Sequence, residues 1–246
     1  MRFYTFVGIA CLVIPFLVVA RAESPTSDTQ LSPAQVLFFV GVNAGKIDEQ
    51  YYMSADTFAQ MTRPQWNTKS QQLAAQLNEV EAFARPLNCP PDVSESLYVL
   101  RNDLRLTRTG EYDSYSMMIY ALTRFLRKLN QCIDTTFGDE LRTFYRTGKQ
   151  IGSLVYLLGV PEPNAFDKRI LQELYVIDSE AVNLYRSRDM PQEAAQRLRV
   201  LSDIRDKHFK DGKRHESKID ENTRQLLIFN LNELQQSFAQ LNPYTG

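Results

Sequence analysis

"YDSYSMMIYALTRFLRKLNQCID", residues 112–134, decides the fold class. Tyr112, Tyr115, Ile119, Leu122, Leu126, Leu129 and Ile133 follow one another at steps of three and four, which places them on one stripe of an α-helix. A half-buried strand needs alternation at every second residue, and no stretch of the chain shows that pattern convincingly. An unbroken seam of this length is what a helix packed in a bundle presents.

Working outward, the same period recurs. Upstream, Asp92 and Glu95 form a capping-box-like start for a helix carrying Leu97, Leu100 and Leu104, with Gly110 beyond its end. Thr62 and Pro64 open another, with Trp66, Leu73, Leu77, Val80, Ala84 and Leu87 on its stripe and "NCPPD" as its stop. Ser32 and Pro33 start the first helix, whose face runs through Val36, Phe39, Val40, Ala44 and Ile47 to an end near Tyr51.

Downstream, Leu141, Phe144, Gly148, Ile151, Val155 and Leu158 share a face on which Gly148 admits a close neighbour, and Gly159 closes that helix. A sixth helix carries Ile170, Leu174, Ile177, Ala181 and Leu184. Pro191 opens a seventh with Leu198, Leu201 and Ile204, and a last one carries Leu227, Leu231, Leu234, Phe238 and Leu241. The expectation is an all-α protein of about eight helices, an antiparallel bundle or stacked helical hairpins, forming one domain over 32–243 with a candidate sub-bundle boundary at 159–164.

The N-terminus sets the compartment. Arg2 precedes an apolar run from Phe6 to Ala20, the length of a signal-peptide core and short of a comfortable span of about 20 residues. Ala20 and Ala22 stand at the minus-three and minus-one positions of a cut before Glu23, so residues 1–22 read as a signal peptide and 23–31 as a polar tail. The expected location is the periplasm or the exterior, with no stable membrane insertion after cleavage. The alternative is an N-terminal anchor, with Arg2 and Arg21 flanking the run almost symmetrically.

Cleavage removes Cys11 and leaves Cys89 and Cys132, an even number in an oxidising compartment, and these are expected to pair. Helices three and four, antiparallel, bring the two cysteines together, and the closed loop is worth roughly 4 kcal/mol by chain entropy. There is no C-x-x-C, and the histidines, His208 and His215, lie far along the chain, so neither a redox pair nor a cysteine metal site is expected.

With 28 basic and 29 acidic side chains the charge is nearly balanced, which argues against nucleic acid as a partner. Arg101, Arg105 and Arg108 share one face of helix three; Arg142, Arg146 and Lys149 do so on helix five; Arg124, Arg127 and Lys128 lie on helix four between them. Converging, these stripes would form a basic surface for an acidic partner, a phosphate or a carboxylate; otherwise they are solvated helix faces. In "DKHFKDGKRHESK", residues 206–218, the clustered cations oppose a metal, and an exposed polar loop is expected.

No nucleophile elbow, zinc-helix pattern or phosphate-cradling glycine loop is present, and no cofactor is implied. The reading reached by elimination is an exported, non-catalytic protein-interaction module that binds another protein through a helical face. Its candidate contacts are Arg105, Arg108, Arg142, Arg146 and Tyr52. The alternatives are a bundle holding a small apolar or anionic ligand between helices, and an extracytoplasmic hydrolase marked by a buried, unpartnered carboxylate in a cleft.

Overall fold

A computed structural model describes residues 31–57, 62–107, 112–160, 163–185, 187–210, 213–214 and 218–239. The expected leader and polar tail therefore lie outside the described residues, apart from Leu31. Eight helices follow in chain order: α1 (Pro33–Thr57), α2 (Arg63–Ala84), α3 (Pro91–Thr107), α4 (Tyr112–Thr136), α5 (Asp139–Leu158), α6 (Asp167–Leu184), α7 (Gln192–His208) and α8 (Glu221–Ala239). The protein is all-α, and the described residues, from Leu31 on, group as one compact unit.

The α1 helix is the axis. Ser32 caps it reciprocally: its backbone N–H donates to Gln35 Oε1 at 2.8 Å, and the Gln35 N–H donates to Ser32 Oγ at 3.3 Å. Ala34, Leu37, Phe38, Val40, Ala44 and Ile47 are all completely buried, so nearly every face of the helix meets protein. A helix surrounded in this way has no solvent stripe to keep polar, which explains its long apolar run.

The closest neighbour of α1 is α5, and glycine sets the distance. A Cβ at Gly41 or Gly45 would lie under 3.0 Å from the carbonyl oxygen of Tyr145 or Lys149, and one at Gly148 or Gly152 equally close to that of Phe38 or Val42. Two glycines four residues apart on each helix thus mesh reciprocally, backbone against backbone, at a separation that favours Cα–H···O contacts. Phe38 stacks on Phe238 of α8 with ring centroids 3.9 Å apart, and Phe144 meets Phe238 edge-on at 5.9 Å. Gln35 Nε2 donates to the Phe238 carbonyl at 2.7 Å and fastens the start of α1 to the end of α8.

The described part of the expected stripes packs as read; Leu241 and the side chains of Trp66, Tyr112 and Tyr115 lie outside the described residues. Leu122, Leu126, Leu129 and Ile133 of α4 are buried, joined by Met118, Ala121 and Phe125, so the buried face is wider than a two-position seam. Leu97, Leu100 and Leu104 of α3 face it, and Cys89 and Cys132 are disulfide-bonded with their α-carbons 5.7 Å apart.

Three local expectations differ. Asp92 is not the cap of α3: the helix begins at Pro91, because proline fits the first helical position, and Asp92 in its first turn instead accepts a hydrogen bond from Lys128 Nζ of α4. Helix α1 runs on to Thr57, beyond Tyr51. His208 is buried at the end of α7 rather than exposed in a loop, and Phe209–Lys210 pairs antiparallel with Lys213–Arg214 in a two-residue ladder. His215 lies outside the described residues.

Candidate binding groove

The segment between α2 and α3 shapes an opening on the bundle surface. Helix α2 tightens into a 3-10 turn over Arg85–Leu87, and Asn88 adopts the left-handed conformation at φ 50°, which asparagine tolerates better than most residues. Cys89, Pro90 and Pro91 then launch α3, with the disulfide holding Cys89 to α4. Between these two helices and Phe125 of α4 lies a groove of about 400 Å³.

Its walls are apolar: Val80 and Ala84 from α2, Val93 and Leu97 from α3, and Phe125 from α4. Val80, Phe125 and Leu97 belong to the buried core, so the groove opens onto packed hydrocarbon. Tyr98, 75 % exposed, lines it from α3. The charged residues of the lining are Glu81, Arg85 and Arg101. Glu81 binds both guanidinium groups, with Oε2 2.6 Å from Arg101 Nη2 and Oε1 3.5 Å from Arg85 Nη2, and Arg101 Nη2 also donates to Asn78 Oδ1 at 2.7 Å. One carboxylate thus serves two cations, and the lining carries a net charge of +1.

The arginines singled out in the sequence are locally committed. Arg105 is exposed and donates to Asn102 at 3.2 Å. Arg142 binds Asp139 and the Asp134 carbonyl, and Arg146 lies 3.8 Å from Asp134, so these two are brought together around the end of α4. Lys149 pairs with Asp48 at 2.7 Å. Acids therefore offset the charge of this face. Arg108 and the side chain of Tyr52 lie outside the described residues.

A second polar cluster is buried where α1, α5 and α6 meet. Glu49 and Glu173 are 3 % and 6 % exposed, and Arg169 binds both, bidentately to Glu49 at 3.2 and 3.3 Å and to Glu173 at 3.0 Å. Burial raises the pKa of Glu173, Arg169 draws it back and the Glu49 charge raises it further. Beside them Tyr156 accepts from Lys69 Nζ at 3.3 Å, and burial with the nearby Glu49 pushes its phenol up to about 12. These carboxylates are partnered, unlike the free buried acid expected of a hydrolase. Among the described residues no group of three or more His, Cys, Asp or Glu could hold a metal, and no helix is long and apolar enough to cross a membrane.

Comparison of the chain with family models, curated proteins and solved structures finds no match. Sequence reasoning missed the groove, although Val80, Ala84 and Leu97 all stood on the apolar stripes. The signal that marks it is the small side chain of Ala84 just before the Arg85–Pro91 connection, with Arg85 and Arg101 beside the apolar wall.

Proposed function

We propose that this chain is an exported, non-catalytic binding protein that holds a small ligand in the groove between α2 and α3. The observation that carries the reading is the groove: an apolar hollow of about 400 Å³ with a few convergent polar groups, within the size and composition of small-ligand sites. The neutralised state of Arg142 and Arg146 favours it over recognition through the basic helix faces. The leader with its A-x-A site supports export, and the Cys89–Cys132 bridge is consistent with an oxidising compartment.

A protein partner is the second reading, favoured by Tyr98, Val99, Met117 and Tyr120, all exposed on α3 and α4. The two readings separate by native mass spectrometry of protein recovered from its own compartment. Groove binding predicts an additional small mass that is absent from Ala84→Phe, in which the hollow is filled. Recovery without such a mass, in a complex broken by Tyr98→Ala with Tyr120→Ala, would replace the first reading by the second.

A further inference from the structure

Resting on the groove reading, we infer that the ligand is a monoanionic amphiphile: one carboxylate on an apolar body, the carboxylate seated at Arg85 and Arg101. Three observations on the groove converge. Its wall is hydrocarbon from three helices, which selects an apolar body. Its charged lining is two guanidiniums against one carboxylate, leaving a single positive charge to be balanced. The group already bridging those guanidiniums, the side chain of Glu81, is itself a carboxylate on a short apolar stem.

Glu81 therefore shows that a carboxylate can reach both guanidiniums at the edge of the groove. Arg85 is the freer cation, 77 % exposed and 3.5 Å from Glu81, so a ligand carboxylate can engage it without breaking the 2.6 Å bond to Arg101. A second negative charge on the ligand would leave the lining with an acidic excess facing Glu81. A neutral head would leave the surplus guanidinium charge unbalanced. One charge, rather than none or two, fits.

The test is isothermal titration of the full mature chain with octanoate, decanoate and dodecanoate below their micellar limits, with decanol as the uncharged probe. The inference expects affinity to rise about fourfold for each added methylene until the groove is filled. It expects decanoate to bind about tenfold more weakly to Arg85→Gln and to Arg101→Gln, and more tightly to Glu81→Gln, which removes the competing carboxylate. Arg85 is exposed enough that its substitution leaves folding intact. If decanol and decanoate bind alike and the arginine variants change neither, the anionic head is wrong while the groove reading stands. If Ala84→Phe binds every probe as well as the native chain does, the groove reading itself fails, and the inference with it.

Discussion

Gly45 of α1 lies directly against the carbonyl oxygen of Lys149 on α5, so near that a Cβ there would sit under 3.0 Å from it. The obstructing atoms are backbone, which cannot swing aside as a side chain would. Gly45→Ala and Gly148→Ala should each force α1 and α5 apart and cost about 1–3 kcal/mol or more, as overpacked cores do. Gly138→Ala, with nothing within 4 Å of its Cβ, should cost less than about 1 kcal/mol, a loss confined to the cap of α5. Urea denaturation of the three variants checks the ranking.

The disulfide joins residues 43 apart in sequence, so its removal frees a long loop in the unfolded chain. Cys89→Ser with Cys132→Ser should lower stability by roughly 4 kcal/mol in the chain-entropy picture. Cys89 also lines the groove, so the same variant should bind ligand less tightly at temperatures where it remains folded. Denaturation curves with and without reductant, followed by a ligand titration, test both halves.

Stability should depend on pH through Glu173. Its pKa is raised in the folded protein, so over the window between its ordinary value and the raised one the folded state binds more protons than the unfolded state. Stability from this group therefore falls as pH rises through that window and stays reduced above it. Glu173→Gln should gain on the native chain as pH increases from about 4.5, and parallel melting curves across pH 4 to 8 would show whether the difference grows. Asp92 has the opposite sign: the Lys128 hydrogen bond holds its carboxyl below the usual range, and that contribution is lost as pH falls.

Asp167 and Arg224 form a buried pair that locks α6 to the start of α8. Asp167 also accepts from the Ile219 N–H at 3.0 Å, and Arg224 donates to the Ile219 carbonyl at 3.4 Å. Removing one partner leaves the other charged and dry, so Asp167→Asn should cost about 3–5 kcal/mol. Replacing both by apolar residues of similar volume should cost less than either single change, which a double-mutant cycle measures.

The seam of α4 was legible because its period is a property of one helix: Leu122, Leu126, Leu129 and Ile133 needed no knowledge of their partner. The Cys89–Cys132 bridge was legible from compartment and topology together. The stripe marks Gly148 as a place of close approach but not its counterparts Gly41 and Gly45. On a single helix a glycine is only a gap in the apolar stripe, and its meaning is supplied by the backbone it meets. The groove was hidden for a related reason. It lies where the 3-10 turn and the left-handed Asn88 carry the chain from α2 into α3, and no periodicity encodes that connection. The arginine stripes are visible as stripes, and Asp139 stands three residues before Arg142 on the same helix, where spacing does point; Asp134, in the last turn of α4, reaches Arg142 and Arg146 across the turn to α5, which spacing along one helix does not show.

We propose the groove between α2 and α3 as the place where this protein binds its ligand. The most direct test is a titration of isotopically labelled protein with decanoate, following backbone amide shifts by nuclear magnetic resonance. Binding in the groove gives saturable shifts concentrated between Val80 and Arg101 and at Phe125, absent in Ala84→Phe. Shifts centred instead on Arg142 and Arg146, or spread without saturation over the surface, would contradict it.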